Sequence, residues 1–96
     1  LKGRGVMQLI TKYIMAHSNG KKAPICGSKL ATAFSISQVS IRKLINEARS
    51  AGDPICSCGK GYYIPNNKSE IQETIESIQG RIAGMNNAID GLKSLL

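Results

Sequence analysis

Gln38, Val39, Arg42, Lys43 and Asn46 are the residues of this chain whose types and spacing point most clearly to a chemistry. On a helix they share one side when Ile41, Leu44, Ile45 and Ala48 occupy the other. Gln and Asn side chains bond adenine edges in a duplex major groove, Arg forks onto guanine N7 and O6, and Val touches a thymine methyl. Lys43, and Ser37 just before the helix, suit phosphate oxygens. Lys60, held between Gly59 and Gly61, stands at the tip of a tight turn where it suits a phosphate backbone or a minor groove. The chemistry on offer is recognition of a polyanion rather than the making or breaking of bonds.

No competing chemistry is comparably organised. There is no phosphate-binding loop, no paired carboxylates in a pocket-forming segment and no nucleophile with an obvious base, so the reading is of a non-enzyme. Cys26, Cys56, Cys58 and His17 invite a zinc reading. A structural zinc site, however, takes four ligands at familiar spacings, and Cys-x-Cys without a second pair falls short. The expectation is no metal and no cofactor, with Cys26 and Cys56 as small hydrophobes on neighbouring strands. Three cysteines, two of them one residue apart, fit reduced thiols in a cytosol better than a disulfide scaffold. His17 reads as a helix-end residue.

The elements that must hold the outward face follow from periodicity and turn chemistry. Val6, Leu9, Ile10, Tyr13, Ile14 and His17 recur at helical steps, predicting an amphipathic helix over about residues 5–18. Gly20 ends that segment in a left-handed conformation. Ala23–Cys26 is too short for a helix and contains Pro24, so it reads as a brief edge strand. Ser28 is placed to cap a helix over 29–34 that buries Leu30, Ala31 and Phe34. A turn at Ser35-Ile36 leads to Ser37, which caps a helix over 38–50. Gly52-Asp53-Pro54 stops that helix. Residues 55–57 and 62–64 are β-prone and flank Cys58-Gly59-Lys60-Gly61, a hairpin signal. Of Tyr62 and Tyr63, one packs on the core and one lies near the surface. The pattern leaves open which.

The last third carries a different pattern. Ile71, Ile75, Ile78, Ile82, Met85, Ile89, Leu92 and Leu96 are spaced alternately by four and three residues, the heptad of a coiled-coil seam. Gly80, Gly84 and Gly91 fall off the seam, and each lowers helix propensity by up to about 1 kcal/mol relative to Ala. Such a helix needs a partner along its apolar line. That gives an oligomerisation surface of Ile71, Ile75, Ile78, Ile82, Met85, Ile89 and Leu92, with a homodimer as the first expectation. Isoleucine at both seam positions also admits more than two strands. A helix from Ser69 folding back along the first helix of its own chain would instead give a monomer.

With these elements in order, residues 25–64 resemble a winged helix-turn-helix of the biotin-operon-repressor type. The matching stretches are GSKLATAFSISQVSIRKLINEAR, the link Asp53-Pro54-Ile55, and GKGYYI. Helix and strand order extend the resemblance over about residues 5–65, and the combination is similar to small DNA-binding proteins of bacteria and their phages. The resemblance implies a mainly α fold with a small β-hairpin wing, a recognition helix over 38–50 and a wing at 57–61. No ligase domain follows, so that family's enzymatic activity does not carry over. Ser35 departs from the pattern, which usually has Gly in the turn.

Composition agrees with a polyanion partner. The chain has 96 residues and a formal charge of +7. Residues 1–65 hold ten basic and two acidic side chains, whereas 66–96 hold three basic and four acidic. The excess charge thus sits on the segment that carries the helix-turn-helix pattern. Lys21, Lys22 and Lys29 are further phosphate candidates or plain solubilising charges. No apolar run approaches a membrane span and no secretory signal is evident, so the expected location is the cytoplasm of a bacterium or phage-infected host, with no membrane contact. The expected organisation is a winged-helix domain over 1–65 and an oligomerisation helix over 66–96. The expected function is sequence-specific binding of double-stranded DNA by a dimer, in transcription regulation. The alternative is a phage DNA-packaging or replication accessory protein that docks through the winged helix and assembles through the last helix.

Overall fold

Short apolar stripes separated by Gly- and Ser-rich punctuation give four helices and one hairpin. The computed structural model describes the backbone of residues 2–96 and the side chains of residues 5 and 8–96, so the inward placement of Val6 lies outside the described residues. The order is α1 (Lys2–His17), α2 (Gly27–Phe34), α3 (Gln38–Ser50), β1 (Cys56–Cys58), β2 (Gly61–Tyr63) and α4 (Lys68–Lys93). The chain is mainly helical, with a two-stranded antiparallel hairpin and a long C-terminal helix.

The core lies where α1 and α2 meet α3. Ile10, Ile14, Leu30, Ile41, Ile45 and Ala48 are buried there, and Ile25 and Ile55 close the cluster from the connecting segments. Tyr13, on the edge of the core, meets the Phe34 ring edge-on at 5.5 Å and stacks on His17 at 4.0 Å. Leu9 departs from the expectation: it is 57% exposed. The buried line of α1 runs through Ile10 and Ile14, and Leu9 sits about 100° from it with no neighbouring element to cover it.

Local caps explain the boundaries. The first turn of α2 closes on the Cys26 carbonyl, which accepts from the Lys29 and Leu30 N–H groups. Cys26 is therefore the N-cap residue, with no side-chain cap bond, and Ser28 falls inside the helix instead of capping it. Ser35 ends α2 in left-handed geometry at φ 54° and ψ 41°. A non-glycine residue there carries about 1–2 kcal/mol of strain. Ser37 caps α3 by accepting the Ser40 N–H at 3.0 Å. Gly52, at φ 97°, turns the chain out of α3 while the Asp53 N–H returns to the Ala48 carbonyl at 2.9 Å. The Asp53 carboxylate then accepts the Thr11 hydroxyl at 2.8 Å, fixing the end of α3 to α1.

The strands run one residue out of step with the β-prone segments, pairing Cys56 with Tyr63 and Cys58 with Gly61 around the two-residue turn Gly59-Lys60. Ile25 adds a single antiparallel bridge to Tyr62, through N–H···O bonds of 2.7 and 2.8 Å. That bridge requires glycine next door: Gly61 has φ 144°, and a side chain there would run into the backbone of Ile25 and Cys26.

α4 begins with Asn67, whose side chain accepts the Glu70 N–H at 2.9 Å. Among the described residues it rests on β1 and shows no extended packing along α1, unlike the folded-back arrangement. The joint is Thr74, 5% exposed, whose hydroxyl accepts the Ser57 N–H at 3.3 Å. A second tie comes from the loop after α1. Glu70 accepts the backbone N–H groups of Asn66 at 2.8 Å and Lys21 at 3.0 Å, and Lys21 Nζ meets Glu73 at 3.1 Å. The 26 residues of α4 span about 39 Å, most of the 48 Å length of the molecule.

Candidate nucleic-acid interface

α3 presents the site because its inward line is so well filled. With Ile41, Ile45 and Ala48 at 0–1% exposure, the opposite side is forced into solvent. Gln38, Val39, Arg42, Lys43 and Asn46 are all exposed, Val39 by 58%. Lys60 is exposed at the hairpin turn beyond them. Among the described residues the one ion pair is Lys21–Glu73, so Arg42, Lys43 and Lys60 are in no ion pair with a described carboxylate. Ser37 is exposed, but its hydroxyl is already engaged with Ser40, donating to Ser40 Oγ at 3.0 Å. Gln38 lies over the start of α2, close enough that a side chain at Gly27 would touch its Oε1.

Lys21 bonds Glu73, which, with the charge of that carboxylate, holds the Lys21 ammonium pKa above its ordinary value. Lys22 and Lys29 are exposed. Tyr63 is the inward tyrosine at 1% exposure, and burial pushes its hydroxyl pKa up. Tyr62 is half-buried and packs against the core edge. Cys56 is buried, with its thiol pKa pushed up by desolvation, whereas Cys26 is exposed and bonds Ser28 Oγ at 3.2 Å. The two are therefore not a matched buried pair: the Cys26 position caps α2 and faces outward. Among the described residues no group of three His, Cys, Asp or Glu is placed to hold a metal ion.

A feature that the outward face alone does not reveal is a groove of about 520 Å³ between α3, the hairpin and α4. Arg42, Asn46 and Arg49 line one wall, Ser57 to Gly59 the hairpin side, and Ser77 and Arg81 the α4 side, over an apolar floor that includes Ile45 and the heptad residues Ile78, Ile82 and Met85. Arg49 is half-buried. Its Nε donates to the Ile55 carbonyl at 2.7 Å and its second terminal nitrogen to Ser57 Oγ at 3.0 Å. Desolvation lowers its guanidinium pKa, and the positive charge of Arg81 acts in the same direction. Arg49 was within reach of the sequence, because Arg42, Asn46 and Arg49 stand at i, i+4 and i+7 on one helix. Arg81 carried no such signal, since its position depends on how α4 docks.

The heptad residues lie bare or nearly so. Ile71, Ile75, Ile82, Met85, Ile89 and Leu92 are 38%, 42%, 50%, 60%, 47% and 67% exposed, and Ile78 is half-buried. Ile71, Ile75 and Ile78 also line a second cavity of about 390 Å³ against Asp53, Pro54 and Ile55. Beyond Met85 the stripe projects clear of the body. No helix among the described residues is long and apolar enough to cross a membrane. Comparison with protein-family models, curated proteins and solved structures gave no match.

Proposed function

We propose that this chain binds double-stranded DNA sequence-specifically as a homodimer, with residues 1–65 acting as a winged helix-turn-helix and 66–96 as the dimerisation helix. α3 enters the major groove. The Gly59-Lys60 turn lies on the backbone or in the minor groove beside it. The observation that carries this reading is the solvent-facing set Gln38, Val39, Arg42, Lys43 and Asn46 on a helix whose other side is locked into the core. Left-handed Ser35 between α2 and α3, and the hairpin following α3, fit the same reading. Two copies present two such helices to half-sites about one DNA turn or a multiple apart. Transcriptional regulation in a cytoplasm is the use that this arrangement serves most directly.

Selection of bound sites from random duplexes, followed by electrophoretic shift, tests the reading. A recovered motif with a two-fold repeat is expected, and no preference for any duplex over heparin overturns it. Within the recovered site, Arg42→Ala costs about 1–3 kcal/mol and relaxes base preference at one position, whereas Lys43→Ala weakens all duplexes alike.

A second reading is favoured by the isoleucines at both seam positions, which suit more than two strands. Here the same fold docks onto a larger assembly in phage DNA packaging or replication. Mass in solution separates the two readings: a dimer favours the regulator, and a ring of eight or more favours the assembly protein.

A further inference from the structure

Arg42 and Arg49 on α3 and Arg81 on α4 are far apart in sequence, yet they line one groove, and no carboxylate lines it with them. Like charges placed together without a counter-charge raise the electrostatic cost of the folded state, and an anion in the groove removes that cost. The polar lining is suited to oxygen acceptors: guanidinium forks match phosphate geometry, and Asn46, Ser57 and Ser77 add hydrogen-bond donors. Arg49 is already oriented by its bonds to Ile55 and Ser57, so its remaining donors are fixed in place rather than freely rotating. The groove also continues the outward face of α3, because Arg42 and Asn46 belong to both.

We propose that this groove is a phosphate site in which Arg49 on one wall and Arg81 on the other close on a backbone phosphodiester of bound DNA, while Arg42, at the edge shared with the outward face of α3, is left to the bases. It rests on the DNA-binding reading above and extends it to α4. The helix that carries the dimer seam then also touches the nucleic acid, and the register of α4 on β1 decides whether Arg81 reaches the phosphate. A polymer phosphate is favoured over an acidic protein segment because the groove opens onto the face that carries Gln38 and Lys43, where a duplex would already lie.

The test is duplex binding by fluorescence anisotropy over a range of salt, on the full chain, with the best selected duplex as probe. Arg81→Gln is compared with Arg81→Lys and with Lys93→Gln, which removes one charge near the far end of α4. Arg81→Gln is expected to weaken binding by about three- to tenfold at moderate salt and to flatten the slope of log K against log salt by about 0.9 per protomer. Arg81→Lys retains most of the slope, and Lys93→Gln leaves it unchanged. Wild-type binding with Arg81→Gln indistinguishable from Lys93→Gln overturns the phosphate site and leaves the DNA-binding reading standing. Absence of duplex binding by the wild type overturns both. Two further results also overturn the site: Arg81→Gln lowering the mass in solution, which makes the groove a contact between copies, and poly-glutamate or a mononucleotide displacing the duplex from the wild type but not from Arg81→Gln.

Discussion

The isoleucines of the three-helix body and those of α4 are the same residue type in opposite circumstances. Ile10, Ile14 and Ile41 are fully buried, while Ile75, Ile82 and Ile89 are 42–50% exposed. In the body, the apolar stripes of three short helices cover one another, and each helix is held by packing rather than by its own propensity. In α4 a stripe of similar quality runs beyond the body with nothing over it, and the helix around it carries Gly80, Gly84 and Gly91, none with any atom near the place of a side chain. Periodicity in a sequence therefore marks a face that is suited to burial. It does not say whether the cover comes from the same chain.

The largest effect is expected where cover is complete. Ile41→Ala removes a side chain at 0% exposure and should cost about 2–5 kcal/mol of body stability. Denaturant melts at several protein concentrations would check it. A loss that vanished at high concentration would break the contrast, since the body would then depend on a second chain. Ile82→Asp is the converse experiment. It should abolish association in light scattering while moving the body transition by no more than about 0.5 kcal/mol. An unchanged mass would place the seam out of use.

Much of the body was legible because its signals are local. Ser37 before a 3.6-residue pattern marked the start of α3, and Gly52 marked its end. The face carrying Arg42 and Lys43 followed from the same pattern, by subtraction. The start of α2 was misread because Ser28 is a good capping type, yet the first turn closed on the Cys26 carbonyl two residues earlier. The docking of α4 was not legible at all. It is made by Thr74, a polar residue off the heptad line, bonding an amide in β1. For that reason Arg81, and the groove that it completes, could not be read from spacing. Long-range placement depends on a few specific contacts that no periodicity announces.

A smaller effect sharpens the contrast from the side of the body. Ser35→Gly relieves left-handed strain in the turn between α2 and α3, and should stabilise the body by about 1 kcal/mol. Glycine also has more unfolded-state entropy to lose, which keeps the gain from being larger. Thermal melts would show the transition rising by a few degrees with no change in mass. A fall in stability would mean that the Ser35 hydroxyl contributes something that its backbone geometry conceals.

The smallest effect belongs to the joint between the two regions. Glu70 has its carboxyl pKa below the usual value because it accepts the Asn66 and Lys21 backbone N–H groups, with the Lys21 charge adding to this. A depressed folded-state pKa means that the stabilisation is complete above the unfolded value, about 4.3 for glutamate. It is lost as pH falls from there through the lower folded value. Acid should therefore loosen the start of α4 from the loop after α1 before it touches the core, whose side chains at Ile10, Ile14 and Ile41 do not titrate. Hydrogen exchange should report it as protection lost at the Lys21 and Asn66 amides, with the α3 amides unaffected. Glu70→Gln should show that loosened exchange already at neutral pH and lose the pH dependence at those two amides. If α3 loosens in step with them, the joint and the body are one cooperative unit, and the division between a self-covered body and an appended helix fails at its boundary.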